Sequence, residues 1–147
     1  MLLGMSAMKS NFERLRVYRL SEAIADRICD LVMSWNAFAR ETIGRQLVRA
    51  ADSVGANIAE GEGRGSYADN RRFIRTARGS LNETKHFLRR AFQRRLLPPE
   101  DVTLLKRLID ELGPKLNCYL KSIGPKARTE ESDPNKLTAA RRTTTDY

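Results

Sequence analysis

Residues with reactive side chains are scarce in this chain. Its 147 residues include two cysteines, one histidine and one tryptophan, and aromatic residues make up 7%. No apolar run approaches the ~20 residues needed to cross a bilayer, which excludes a transmembrane helix and predicts no membrane partner. The first ten residues place no basic region ahead of their few apolar side chains, so we expect no secretory signal and a cytoplasmic location.

The two cysteines are too few and too far apart for a disulfide framework or a zinc site. Cys29 and Cys118 each lie within an apolar helical pattern. Because a free cysteine usually behaves as a small hydrophobic residue, we predict two reduced thiols in the core.

The sequence contains no recognisable set of catalytic residues. His86 forms a Glu-x-x-His pair with Glu83, but a di-iron carboxylate bundle needs a second such pair, and the chain has no other histidine. The glycine-rich run 61–65 follows a helix and fits no nucleotide-binding loop, although Arg64 could still touch a phosphate. Without a nucleophile beside a base, the sequence predicts no enzyme, no metal site and no cofactor, and a solvated or partner-facing His86.

Basic residues, by contrast, are plentiful and unevenly distributed. Lysine and arginine number 27 against 18 acidic residues, a net charge of +9. Residues 66–97 alone hold 9 basic and 2 acidic side chains. This concentration favours a polyanionic partner. A genome rich in G and C is the alternative explanation, since 20 of the 27 are arginine.

Apolar residues at helical spacing predict four helices, over roughly 12–34, 40–60, 67–96 and 99–122. We expect a glycine of the run 61–65 to end the second helix in a left-handed turn, and Ser66 with Asp69 to cap the third. The prolines at 98 and 99 separate the last two helices. Gly113-Pro114 could divide the fourth, but the apolar residues stay in phase across it, which favours one kinked helix over two.

Short connections between long amphipathic helices predict an all-α, antiparallel up-down four-helix bundle. We expect one domain over residues 1–125. The segment 126–147 has Leu137 as its one large aliphatic residue, so a disordered tail is predicted.

One face of the third helix carries a basic stripe at spacings of three and four residues. At 100° per residue it lies about opposite the apolar seam. Because like charges at these spacings repel, a phosphate-bearing partner is favoured over a merely solvated face. The predicted nucleic-acid contacts are Arg71, Arg75, Arg78, Lys85 and Arg89 of the stripe, together with Arg64.

A polar line also runs beside the apolar face of the second helix. We predict that it forms a hydrogen-bonded boundary between helices or between subunits. Its members are Gln46, Arg49, Ser53, Asn57 and Glu60, and Ser80 and Glu83 lie on a comparable flank of the third helix.

Two segments resemble those of a known family. Asn57-Ile58-Ala59-Glu60-Gly61 would end the second helix, and Ala77-Arg78-Gly79-Ser80-Leu81-Asn82-Glu83 lies in the third. This pattern resembles the 23S ribosomal-RNA intervening-sequence proteins, over roughly residues 15–123. The resemblance implies an antiparallel four-helix bundle that assembles into a homopentamer, with Asn57, Glu60, Gly61, Gly79, Ser80 and Glu83 in packing and assembly. The family is similar to the accessory variability determinant protein of diversity-generating retroelements, a basic pentamer that binds nucleic acid and a reverse transcriptase.

The sequence therefore favours a non-enzymatic, homo-oligomeric bundle that binds RNA or DNA through phosphate contacts. The alternative is an interaction scaffold whose basic face meets an acidic protein partner or a subunit interface.

Overall fold

Apolar side chains three and four positions apart form the interior between four long helices. The computed structural model describes residues 15–125, and the predictions for residues 12–14 and for the tail 126–147 lie outside this range. Within it the fold is an all-α four-helix bundle without strands. The helices are α1 (Arg16–Met33), α2 (Ala37–Ala39, continuing through a π-helical turn Arg40–Gly44 into Arg45–Glu62), α3 (Tyr67–Gln93) and α4 (Pro99–Ser122).

The predicted apolar sets account for most of the core. On α2 all six members of the predicted set are buried, namely Ile43, Leu47, Ala50, Ala51, Val54 and Ile58. On α3 the half-buried Phe73 is displaced from the centre of the core by its neighbour Ile74, which is fully buried. On α4 the predicted Leu108 is likewise half-buried, and its neighbour Ile109 is buried instead. The period of the sequence therefore predicted the buried face, with an error of one residue at Phe73 and at Leu108.

The cysteine prediction is wrong. Both Cys29 and Cys118 are exposed. Cys29 follows the fully buried Ile28 and lies about 100° further round α1, because each residue turns a helix by that angle. A position next to an apolar residue therefore does not put a side chain in the core.

The helix ends differ from the prediction in one respect. Ser66 caps α3 as expected, its side chain accepting a hydrogen bond from the Asp69 backbone N–H at 3.1 Å. Gly63 at the end of α2 has a φ of −77°, so the predicted left-handed glycine turn is wrong. The left-handed residue is instead Arg95 after α3, with φ 59°, and the neighbouring Leu96 N–H donates to the Ala91 carbonyl at 3.0 Å.

The fourth helix is continuous through its proline, as predicted. Pro114 has no N–H for the carbonyl of Asp110, four residues earlier. Both residues are exposed, so water can satisfy that carbonyl oxygen. The helix therefore tolerates proline on its solvent side.

Each helix packs beside the next in the chain, and α1 also packs on α4. The α2–α3 seam is the most extensive and the α3–α4 seam the least. At one end of the bundle, here called the Trp35 end, the Trp35 indole N–H donates to the Leu96 carbonyl at 2.9 Å. Nearby, Arg27 of α1 pairs with the buried carboxylate of Asp101.

At the opposite end, here called the Tyr119 end, three helices meet through polar contacts. The Tyr119 hydroxyl donates to Glu62 Oε2 at 2.9 Å, joining α4 to α2. Burial, together with the hydrogen bond and charge of Glu62, raises the pKa of Tyr119 to about 12, although Asn70 of α3 is close enough to the phenol to oppose part of this rise. The sequence pattern did not indicate this contact.

Candidate nucleic-acid interface

The basic stripe of α3 lies on the flank beside α4, and not opposite the core as predicted. At the Tyr119 end, Arg71 donates to the Ile123 carbonyl at 2.8 Å. Further along, Arg78 donates to Asn117 Oδ1 at 3.4 Å. The prediction was wrong in its angle. At 100° per residue, the mean direction of the stripe lies only about 100° round α3 from that of its buried residues, so the stripe flanks the core and meets α4.

The members of the stripe therefore differ in availability. Arg71 and Arg78 are engaged with α4. Arg75, Lys85 and Arg89 are exposed and have no ion-pair or hydrogen-bond partner among residues 15–125. These three remain free to contact a ligand.

Arg64 is also held by its own chain. It pairs with Glu60 at 2.6 Å, and its guanidinium lies 5.0 Å from the centroid of the Phe73 ring. The guanidinium of Arg72 lies 4.6 Å from the same centroid. Two cations thus pack on one aromatic ring, an arrangement that ties the end of α2 to the start of α3.

The fold collects most of the positive charge at the Trp35 end. Residues 27–47 and 85–110 form this end and hold ten basic and five acidic side chains, a net charge of +5. The other described residues hold ten basic and eight acidic side chains, a net charge of +2. The sequence segment that carried the charge excess is thus only part of the basic surface, since α2 contributes as well.

Most basic side chains at the Trp35 end have no acidic partner. Only Arg27 and Lys106 form ion pairs there, with Asp101 and Asp110. The remaining eight have no carboxylate within 4.0 Å among the described residues. They are Arg40, Arg45, Lys85, Arg89, Arg90, Arg94, Arg95 and Arg107.

A cleft of about 400 Å³ between α2 and α3 contains three of these arginines. This arginine cleft is lined by Arg45 of α2 and by His86, Arg90 and Arg94 of α3, with Glu41 at its edge. His86 is exposed, as predicted. The sequence analysis did not select the three arginines as a site. Arg90 and Arg94 are spaced one helical turn apart, but only the fold brings Arg45 beside them.

The polar line of α2 forms hydrogen bonds along its own helix. Ser53 donates to the Arg49 carbonyl at 2.8 Å, and Asn57 donates to the Ser53 carbonyl at 2.7 Å. Gln46 likewise accepts from Arg49 at 3.1 Å. The predicted hydrogen-bonded boundary between helices is therefore wrong within the described chain. A boundary between subunits stays a prediction.

The two family glycines have different surroundings. A Cβ on Gly61 would lie 2.6 Å from Asn70 Oδ1 and 3.0 Å from Phe73 Cβ, so α2 and α3 approach too closely there for any side chain. Around Gly79 nothing lies within 4 Å of such a Cβ. Ser80 is half-buried beside it and Glu83 is exposed. Packing within the chain therefore requires Gly61 but not Gly79.

The described residues give no support to metal chemistry. No group of three or more His, Cys, Asp or Glu side chains in residues 15–125 is placed to hold a metal ion. In the same range, no helix combines the length and apolar character that a membrane crossing demands.

The geometry defines a class of protein: a four-helix bundle with one strongly basic end. The family model described as "23S rRNA-intervening sequence protein" matches residues 13–118. The chain belongs to this family, as the resemblance in its second and third helices predicted.

Solved structures share the fold. One of them is a protein with unknown function from the S23 ribosomal protein family of Bacteroides thetaiotaomicron VPI-5482, 25% identical, with a TM-score of 0.64. The alignment covers 72% of this chain and 96% of that one. No curated protein matches the sequence.

Proposed function

We propose that this protein is a non-enzymatic, homo-oligomeric bundle that binds RNA or DNA through the phosphate groups. The observation that carries the proposal is the Trp35 end, where eight basic side chains have no acidic partner within residues 15–125. Unpaired cations on one surface repel each other, and phosphates relieve that repulsion while releasing counterions from the nucleic acid.

The phosphate contacts come from the arginine cleft and from the free members of the stripe. Arg45, Arg90 and Arg94 present three guanidinium groups on the α2 side of α3. Lys85 and Arg89 present two further charges on its α4 side. A guanidinium group offers paired donors to phosphate oxygens, which positions a strand without reading its bases.

Assembly strengthens this binding. The pentamer that the family resemblance implies would repeat the Trp35 end five times at one level of the ring, because cyclic symmetry places equivalent groups on a circle. Several weak phosphate sites on one rigid particle bind a long polyanion far more tightly than one site does. The outer surface available for such assembly includes the polar line of α2 and the open space at Gly79.

The test is a pair of double variants with the same change in net charge. Arg90→Glu with Arg94→Glu removes two cations from the arginine cleft. Arg19→Glu with Lys121→Glu removes two exposed cations outside the Trp35 end. We expect the first pair to weaken the binding of labelled RNA and DNA oligonucleotides by more than about tenfold, and the second by less than about threefold.

Salt dependence supplies the second readout. Each neutralised phosphate contributes about −0.9 to the slope of log affinity against log salt on duplex DNA. The wild-type slope should therefore be steep, and it should become shallower in the cleft variant. Equal losses in the two double variants, or binding insensitive to salt, would contradict the proposal.

A second candidate function, an interaction scaffold, is favoured by one observation. An open apolar groove lies between α3 and α4, and a phosphate backbone has no use for apolar surface. Capture of partners with and without nuclease treatment separates the two functions. Partners that are lost after nuclease treatment were held through nucleic acid.

A further inference from the structure

An apolar groove of about 470 Å³ opens along the α3–α4 seam at the Trp35 end. Leu88, Leu105 and Ile109 form its nearly buried floor. Phe92, Leu97 and Val102 form its sides, and Phe92 is 56% exposed. This apolar groove is distinct from the arginine cleft, which lies on the other side of α3.

The groove exists because the α3–α4 seam closes only at the Tyr119 end. There, Arg71 and Arg78 bridge the two helices through Ile123 and Asn117. At the Trp35 end, no hydrogen bond between α3 and α4 is formed by described residues of the groove, and the exposed Phe92 ring has no aromatic partner there. Exposing a large apolar side chain in a groove is unfavourable for the isolated bundle, so the groove is a candidate docking surface.

The dimensions of the groove match a helix. Its lining spans residues 85–92 of α3 and 102–110 of α4. At 1.5 Å per residue these segments extend about 10 to 12 Å, which is two helical turns. Apolar side chains at i, i+3 or i+4, and i+7 of a docked helix span the same length.

The charged side chains on the rim of the groove indicate which charge a bound partner would carry. Lys85 and Arg89 line the α3 side and have no acidic partner among the described residues. On the α4 side, Lys106 is paired with Asp110 at 2.5 Å. The unneutralised charge on the rim is therefore positive and belongs to α3.

We propose that the apolar groove binds an amphipathic helix of another protein whose polar flank is acidic. The apolar side chains of that helix cover Phe92 and the groove floor, and its carboxylates pair with Lys85 and Arg89. An acidic flank also disfavours nucleic acid on the same rim, so partner and nucleic acid compete for these two side chains. The inference does not depend on the nucleic-acid function, because Phe92 and the apolar floor of the groove take no part in the phosphate contacts, although Lys85 and Arg89 are common to both surfaces.

The test uses synthetic helical peptides of about 14 residues, labelled with a fluorophore. One peptide carries leucines at i, i+3, i+7 and glutamates on the flank. A second carries lysines in place of the glutamates, and a third has the composition of the first in scrambled order. We expect the wild-type oligomer to bind the glutamate peptide at least about tenfold more tightly than the other two.

Two sets of variants place that binding in the groove. Phe92→Ser should weaken binding of the glutamate peptide by about tenfold or more. Phe38→Ser is the control: it removes an aromatic ring that is 80% exposed and lies outside the groove, so it should leave binding unchanged. Lys85→Glu with Arg89→Glu should reverse the preference toward the lysine peptide. A fold defect alone does not produce such a reversal.

Three outcomes would overturn the inference. The first is equal binding of the glutamate and lysine peptides, or no binding of either. The second is a Phe92→Ser protein of smaller assembled mass, which would assign the groove to a second copy of this chain. The third is a Phe92→Ser protein that no longer binds single-stranded oligonucleotides but still binds the peptide, which would assign the groove to nucleic acid.

Discussion

The indole N–H of Trp35, in the turn after α1, donates to the carbonyl oxygen of Leu96, in the turn after α3, at 2.9 Å. This bond joins two turns that are 61 residues apart in the chain. The Trp35 side chain is 7% exposed, so the bond is shielded from water. It fixes the position of the α3–α4 turn and thereby the basic side chains that flank it.

Loss of this hydrogen bond should lower the free energy of unfolding, although the bond lies at one end of the bundle and not at the centre of the core. We expect Trp35→Phe to reduce the free energy of unfolding by about 1–3 kcal/mol, because the Leu96 carbonyl loses its donor while most of the apolar volume remains. Urea unfolding followed by circular dichroism measures the change. Phe38→Leu, on an exposed side chain, is the control and should cost less than about 0.5 kcal/mol.

The two family glycines should respond in opposite directions to alanine. Gly61→Ala places a methyl group against Asn70 and Phe73, and such overpacking costs about 1–3 kcal/mol. Gly79→Ala meets open space, and alanine in a helix interior is favoured over glycine by about 0.5–1 kcal/mol. Thermal unfolding of both variants tests the prediction. A stabilising Gly61→Ala would show that the close approach of α2 and α3 does not constrain this position.

Arg95 occupies a backbone conformation that favours glycine. With φ at 59° it holds the left-handed position that ends α3. We expect Arg95→Gly to raise the free energy of unfolding by about 1 kcal/mol. Arg94→Gly is the matched control, since φ there is −89°, and it should not stabilise the protein. Chemical denaturation of both variants distinguishes the conformational effect from the loss of one charge.

Tyr119 should make the bundle sensitive to high pH. Its pKa is raised from 10.0 in the unfolded chain to about 12 in the fold. Below pH 10 the phenol is neutral in both states. Between pH 10 and 12 the unfolded chain loses this proton while the folded chain keeps it, so the free energy of unfolding falls. Because Tyr119 is only half-buried, we expect the fall to stay below about 2 kcal/mol.

Tyr119→Phe separates this effect from general alkaline unfolding. The variant lacks the phenol proton, so its stability should fall less between pH 10 and 12 than that of the wild type. Denaturant unfolding at a series of pH values gives both curves. Parallel curves would show that the fold does not perturb this phenol.

The sequence alone determined the helices, because apolar side chains at spacings of three and four residues must share one face of a helix to leave water. It also determined the Ser66 cap and the family, since both rest on residues that are close together in the chain. Through the family pattern the sequence also assigned Gly61 a role in packing and assembly. The reason that a glycine is needed there came from the structure, in which Asn70 of α3 lies against this position of α2.

Only the tertiary structure decided which flank of each helix meets a neighbour. Helical periodicity gives an angle around one axis, whereas the facing helix is chosen by packing of the whole bundle. Arg71 and Arg78 contact α4, whereas the pattern of α3 gives only their angle from its apolar face and not the helix that they meet. Arg45 joins Arg90 and Arg94 in a cleft for the same reason, because residues about 45 positions apart become neighbours only when α2 packs against α3.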